Sequence, residues 1–219
     1  DVTKSAAGMV LQDDNFATIV TAVGEGRRIY DNIRKTVQFL LSSNLAEVVA
    51  VFIATLFGHT LLRPMHLLWI NLIGDTFPAI ALGMEDAESD LMQRKPRDDK
   101  ESIFAGGVGV NVFLQGVYIG ILTLAGFFLG RYVFGVDSAD PALYGTTMAF
   151  LTLSLTETVH AFNVRSLRHS LFKRRKPNKA LWGATLLALI LTLIVVYVPA
   201  LAEIFGFITI GWEGSLVCV

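Results

Sequence analysis

The stretch WINLIGDTFPAIALG, residues 69–83, is apolar enough to lie in a membrane, yet it contains an acid and residues that break helices. Pro78 has no backbone N–H to donate and its ring clashes with the carbonyl of Gly74, so we expect the helix to unwind or kink between them. Carbonyls freed at membrane depth persist only where they line a cavity or bind a ligand. Because Asp75 lies in the same segment, the stretch predicts an intramembrane binding site.

The composition also indicates a membrane protein. Of the 219 residues, 53% are hydrophobic, which exceeds the usual share of about 45–50% in soluble domains. The single cysteine, Cys218, excludes an intrachain disulfide framework. The chain starts at Asp1 without a signal-peptide pattern and stops within an apolar run, so we expect it to be a piece of a longer protein.

Five apolar runs are long enough to cross about 30 Å of hydrocarbon, which takes roughly 20 helical residues. The predicted helices cover residues 30–58, 65–83, 108–134, 144–163 and 181–201, and a truncated sixth begins near residue 212. The basic connections 94–100 and 165–179, together with residues 1–36, are predicted to be cytoplasmic, because lysine and arginine concentrate on that side. The predicted fold class is therefore an all-α membrane protein, a bundle of five transmembrane helices plus a partial sixth.

The segment before the first crossing predicts a helix that continues into the bilayer. Ile29, Ile33, Val37 and Leu40 recur at three- and four-residue spacing, as on one helix face. Such a helix is either a stalk that transmits movement to a membrane site or an ordinary amphipathic lead-in, and the spacing favours neither.

Polar side chains at membrane depth form three groups. An ionisable side chain at the bilayer centre costs about 2.5 kcal/mol or more, so it usually faces a protein interior and has a function. The asparagine–acid pairs lie three or four residues apart, which places each on one helix face. Carboxylate, amide and backbone oxygens are the ligands that hard cations such as Ca²⁺ prefer. The predicted ligand groups are Asn44 with Glu47, Asn71 with Asp75, and Glu157.

Other polar residues have a simpler interpretation. A hydroxyl or amide in a transmembrane helix is more often an interhelical hydrogen-bonding group than a ligand, and imidazole is a poor ligand for a hard cation. The basic run KRRK, residues 173–176, is interpreted as a determinant of topology. The side chains assigned to hydrogen bonding or packing are Ser42, Ser43, Asn111, Gln115, Thr156 and His160.

These motifs, in this order, resemble the C-terminal membrane half of P-type cation ATPases, most closely calcium pumps of the sarco/endoplasmic reticulum and bacterial types. DVTKSAAGMVLQDDNFATIVTAVGEGRRIYDNIRKTVQFLLSSN, residues 1–44, resembles the end of the family's phosphorylation domain running into its fifth transmembrane helix. WINLIGDTFPAIALG resembles the sixth helix and ESDLMQRKPR the loop after it. The resemblance implies that residues 1–28 are the C-terminal edge of an α/β phosphorylation domain and residues 29–219 the C-terminal transmembrane domain.

The resemblance also implies a set of metal ligands. In that family the ions bind between transmembrane helices, and Asp75 matches a ligand shared by two ion positions. The calcium pumps usually have a threonine where Gly74 stands here, so a side-chain oxygen is lost, which is expected to weaken that position, change its selectivity or admit water. The implied ligands are Asn44, Glu47, Asn71, Asp75 and Glu157.

By the same resemblance, the whole protein is expected to be an ATP-driven pump that exports Ca²⁺ from the cytoplasm. Neither the DKTGT nor the TGDGVNDAP motif of the family occurs in the 219 residues, so Mg²⁺ and ATP are expected to bind outside this chain, which alone is inactive. The expected partners are membrane lipid and the remaining polypeptide, with its first four helices and its actuator, nucleotide and phosphorylation domains; nucleic acid is not among them.

The expected location is a multi-pass position in a bacterial plasma membrane. Several alternatives remain open from the sequence. Within the family, Mn²⁺ or Na⁺ replaces Ca²⁺ as the transported ion, although Asn71 favours calcium over sodium because sodium pumps tend to carry an aspartate there. From other classes, the chain is a secondary cation transporter that uses no ATP, or a non-catalytic membrane scaffold.

Overall fold

The computed structural model describes residues 5–12, 15–98, 100–167 and 177–218, and within these stretches the fold contains helices and no strand. The predicted all-α class is thereby confirmed. The KRRK run lies outside the described residues. The remnant of an α/β domain predicted for residues 1–28 is not confirmed.

Helix α1, Phe16–Leu56, is one uninterrupted helix of 41 residues. It begins after Asn15, whose side chain accepts a hydrogen bond from the N–H of Ala17 at 3.0 Å, as an N-cap should. At 1.5 Å per residue the helix is about 60 Å long, twice the thickness of a bilayer core. The predicted continuous helix is confirmed, and the predicted domain boundary at residue 28 falls inside it.

The next segment consists of α2, Pro64–Trp69, a π-helical turn, Ile70–Asp75, and α3, Thr76–Gly83. The expectation that the helix unwinds or kinks between Gly74 and Pro78 is met in part, because the chain stays helical but leaves α-helical winding in a π-turn that includes Gly74 and Asp75. Pro78 is the third residue of α3 and follows the π-turn directly, so the bond to the Gly74 carbonyl that its ring forbids falls where the winding changes. The π-turn, one turn earlier, absorbs the change in winding.

Helix α4, Val108–Leu129, packs closely on α1 and on α5, Pro141–Asn163. A π-helical turn, Gly130–Phe134, follows α4. Small residues allow the approach: a Cβ added at Gly116 would lie 2.9 Å from the carbonyl oxygen of Ser42 on α1, and one at Gly145 would lie 2.7 Å from that of Phe127. The shorter elements complete the bundle: α6, Lys179–Tyr197, α7, Pro199–Phe205, and α8, Trp212–Val217.

Four helical stretches among the described residues are long and apolar enough to cross a membrane: Phe16–Leu56, Pro64–Gly83, Val108–Phe134 and Lys179–Tyr197. The predicted count of five crossings and a partial sixth is therefore not confirmed. The difference lies in α5, which has 23 residues but fewer apolar ones, because it is enclosed by the other helices rather than exposed on the surface. Large apolar side chains instead cover the outer faces of α1 and α4, among them Val48, Phe52, Phe113 and Ile121.

A buried ion pair joins three segments at the end of the bundle that the basic loops predict to be cytoplasmic. The Arg165 guanidinium donates to both carboxylate oxygens of Glu85, at 2.7 to 3.2 Å. The Asn178 side chain adds a bond of 2.8 Å to the same carboxylate, and the Asn32 amide on α1 donates to the Glu85 carbonyl, also at 2.8 Å. We call Glu85, Arg165, Asn178 and Asn32 the Glu85 clasp.

Candidate cation site

The first part of the site is a pair that links α1 to the π-turn. Glu47 on α1 is 7% exposed. The side-chain amide of Asn71 donates to both oxygens of this carboxylate, at 2.9 and 3.0 Å, and shares its remaining donor capacity with the carbonyl of Leu67 at 2.9 Å. The side-chain oxygen of Asn71 therefore points away from Glu47 and remains available as a ligand.

The second part consists of two carboxylates that are almost completely enclosed. Asp75 is 1% and Glu157 0% exposed. Among the described residues, none of their four carboxylate oxygens has a hydrogen-bond partner. Both repel Glu47 and each other electrostatically, so the three groups lie close enough to form one charge cluster.

Two small residues border these carboxylates. The hydroxyl of Ser43, on α1 one turn before Glu47, faces Asp75 without meeting the distance and angle criteria for a hydrogen bond. A Cβ added at Gly74 would lie 3.8 Å from an oxygen of Glu157. The π-turn therefore brings residue 74, which lacks a side chain, directly against the carboxylate of α5.

Asn44 is the one proposed ligand that the structure does not bring into this cluster. Its side chain is exposed, and the amide donates to the carbonyl of Leu40 on the same helix at 2.7 Å. Glu47, Asn71, Asp75 and Glu157 lie together, contributed by α1, the π-turn and α5.

His160 lies one turn from Glu157 but is occupied by packing. Its Nε2 is 2.7 Å from the Ser42 hydroxyl, and its ring stacks on Phe39 with 5.8 Å between centroids. These contacts agree with its interpretation as a packing and hydrogen-bonding residue.

The oxygen ligands of the site fit a hard cation. Their negative charges have to be neutralised, either by a cation or by bound protons. Carboxylate oxygens without partners in a low-dielectric interior are strongly unfavourable unless they are neutralised or coordinate a cation. Carboxylate and amide oxygens suit Ca²⁺ and Mn²⁺ better than softer metals. In the described part of the chain, however, no three His, Cys, Asp or Glu side chains stand close enough to hold a metal ion by themselves. A complete coordination shell therefore needs further oxygens or a closer approach of the helices.

Ser43, which the sequence predicts to be a hydrogen-bonding residue, was not predicted to border the site. The available signal was its spacing, since it lies four residues before Glu47 and therefore on nearly the same helix face.

The long first helix, the π-turn with its acid, and the enclosed carboxylates together define an integral membrane protein with an intramembrane oxygen-rich site. The chain belongs to the cation transporting ATPases, whose C-terminal family model matches residues 59–219. The resemblance to cation-transporting ATPases inferred from the sequence is thereby confirmed.

The chain is also similar to individual proteins named as calcium-transporting ATPases. It is 44% identical to calcium-transporting ATPase 1 of Bacillus cereus over 94% of this chain and 24% of that protein. For the calcium-transporting ATPase of Bacillus subtilis the identity is 42% over 96% and 23%, and for the endoplasmic reticulum-type calcium-transporting ATPase 3 of Arabidopsis thaliana it is 35% over 96% and 24%. The chain thus spans about a quarter of the length of these relatives.

Proposed function

We propose that this chain is the C-terminal membrane region of an ATP-driven pump that moves Ca²⁺ out of the cytoplasm, and that it supplies part of the intramembrane ion site. The observation that carries the proposal is the cluster of buried carboxylates, with the oxygens of Asp75 and Glu157 unpaired in the described chain. Membership of the cation-transporting ATPases and the names of the relatives support the ion and the energy source.

The ligands within this chain are Glu47, Asn71, Asp75 and Glu157. Asp75 matches the ligand shared by two ions in the resemblance, and it belongs to a cluster in which the three carboxylates repel one another. Asn44 becomes a ligand only if α1 rotates so that its amide leaves the Leu40 carbonyl. Mg²⁺ and ATP bind in the polypeptide outside this chain, and the membrane is the plasma membrane of a bacterium.

The long helix α1 provides the coupling. It runs without a break from Phe16 past Glu47, so a displacement of its N-terminal end moves a ligand at the site. A Gly-Gly insertion at Thr36 is expected to uncouple ATP hydrolysis from transport, because paired glycines weaken a helix by roughly 1 kcal/mol each and interrupt this rigid connection. ATP-driven transport that survives the insertion would contradict the coupling role.

The decisive experiment is ATP-dependent uptake of radioactive calcium into inside-out vesicles that contain the full-length protein. The Asp75→Asn variant keeps the shape of the side chain but removes its charge, so uptake is expected to fall to the level without ATP. Asp140→Asn is the matched control. Asp140 is the exposed N-cap of α5, and asparagine caps a helix about as well as aspartate, so this variant should transport normally.

Competing ions decide the selectivity. Uptake that resists excess Na⁺ but is reduced by Mn²⁺ would mean that the site accepts both hard divalent cations. Uptake that is unchanged in Asp75→Asn would contradict the placement of the ion site, even if the protein transports Ca²⁺.

A further inference from the structure

A separate cavity of about 780 Å³ lies between the N-terminal part of α1 and the connection that follows α3. We call it the loop pocket. It is far along α1 from Glu47 and shares no lining residue with the cation site. Its volume falls within the range of about 300–1,000 Å³ that is usual for small-molecule sites. Five cationic side chains line it: Arg27, Arg34, Arg94, Lys95 and Arg97.

One of these cations is already neutralised. Arg94 forms ion pairs with Asp31 at 2.6 Å, Glu88 at 2.5 Å and Asp90 at 2.8 Å. The hydrogen bond to Asp90, followed by the hydrogen bond to Asp31 and the charges of Asp31 and Glu88, raises the pKa of Arg94 above its ordinary value. Asp31 is itself a lining residue, so this acid is directed at Arg94 and away from the remaining cations.

Two other cations are fixed in place but keep their charge. Arg27 donates to the Leu91 carbonyl at 3.1 Å. Arg34, which is only 6% exposed, donates to the carbonyls of Ile103, at 3.1 Å, and Ala105. Carbonyl groups hold a guanidinium in position without cancelling its charge. Both arginines therefore contribute a fixed positive potential to the pocket.

The last two cations lie at the exposed side of the pocket. The Arg97 guanidinium stacks over the Tyr30 ring, 4.2 Å from its centroid, which leaves the N–H edge of the guanidinium directed away from the ring. In the part of the chain that the structure describes, neither Lys95 nor Arg97 forms an ion pair. Glu101 is the remaining acid in the lining, and it is exposed.

We propose that the loop pocket binds a phosphate group, carried either by a free anion or by the headgroup of an anionic lipid. Guanidinium groups bind phosphate through paired, charge-assisted hydrogen bonds. Basic pockets beside the ends of transmembrane helices are suited to phosphate headgroups. The proposal concerns binding alone, so it does not depend on the proposed transport function.

The test uses the full-length protein and two phosphate-bearing probes. Inorganic phosphate is titrated in detergent at constant ionic strength, with the melting temperature as readout and chloride as the reference anion. In parallel, the protein is placed in nanodiscs of phosphatidylcholine with increasing phosphatidylglycerol, and the lipids that remain bound are counted by native mass spectrometry.

The variant Lys95→Gln/Arg97→Gln removes two cations that have no ion-pair partner among the described residues, so the fold is expected to persist. Lys100→Gln is the matched control, because Lys100 is exposed in the same loop but does not line the pocket. We expect the double variant to bind the effective probe at least tenfold more weakly than the wild type, and the control to bind within twofold of it.

The two arms separate the sources of the phosphate. A saturable response to inorganic phosphate that the double variant loses supports a free anion. Selective retention of phosphatidylglycerol that the double variant loses supports a lipid headgroup. If neither probe binds saturably, or if the double variant binds like Lys100→Gln, the proposal is wrong.

Discussion

Replacing Arg165 by methionine is expected to destabilise the bundle strongly, because it leaves a buried carboxylate without its cation. The Glu85 side chain is 4% and the Arg165 side chain 14% exposed. The substitution removes three N–H···O contacts, at 3.2, 3.1 and 2.7 Å, and leaves the bond from Asn178 at 2.8 Å. Breaking one side of a buried pair costs about 3–5 kcal/mol. Because Asn178 still donates, we expect a loss near the lower end, about 3 kcal/mol.

The assay is chemical unfolding in detergent micelles, followed by tryptophan fluorescence. Arg28→Met is the matched control, because it breaks an ion pair with Glu25 whose side chains are 32% and 54% exposed, and exposed pairs contribute about 0.2–1 kcal/mol. Adding Glu85→Gln to Arg165→Met should restore part of the lost stability, since the uncompensated charge disappears. If Arg165→Met and Arg28→Met destabilise the protein equally, the ion pair does not stabilise the bundle as argued.

Three further predictions concern Gly145, Gly74 and Asp75. Gly145→Ala places a Cβ 2.7 Å from a carbonyl oxygen and should cost about 1–3 kcal/mol in thermal unfolding, whereas Gly183→Ala, with nothing within 4 Å, should be neutral or stabilising. Gly74→Thr places a Cβ at an ordinary contact distance of 3.8 Å from a Glu157 oxygen and adds a hydroxyl, so it should lower the half-saturating Ca²⁺ concentration for uptake several-fold; an equal effect of Gly74→Val would show that the oxygen is irrelevant. Ca²⁺ at 100 times its dissociation constant should stabilise the full-length protein by about 2.7 kcal/mol but leave Asp75→Asn unaffected, and equal stabilisation of both would place the ion elsewhere.

The individual helix faces were predictable from the sequence because they depend on local spacing. The polar pairs were expected to face a protein interior, and Glu47, Asp75 and Glu157 do so. Asn44 shows the limit of pairwise spacing. Residues three apart on a helix differ by about 60° and residues four apart by about 40°, so Ser43 lies nearer than Asn44 to the direction of Glu47. The alanines at 46, 50 and 54, all buried, mark the same face.

Features that depend on contacts between distant segments were not predictable from spacing. The Glu85 clasp joins residues 80 and 93 positions apart, and nothing local identifies Glu85 or Arg165 as partners. The π-turn is another case. A proline predicts the loss of one backbone N–H donor. Whether the helix is interrupted there or continues through a π-turn depends on the residues that pack around the segment. The lower apolarity of α5 likewise reflects enclosure by other helices, which a hydropathy scale does not register.

The distribution of polar interactions along the bundle agrees with the proposed ion-transport site. At the predicted cytoplasmic end, the buried charges of Glu85 and Arg165 are paired and bonded. In the middle, the carboxylates of Asp75 and Glu157 are buried without partners in the described chain, which is unfavourable until a cation or protons arrive. If those carboxylates were paired as at the clasp, a cation would have to displace the partners and its binding would gain less free energy. The unpaired acids therefore favour cation binding, while the clasp and the close helix contacts hold the bundle together around them.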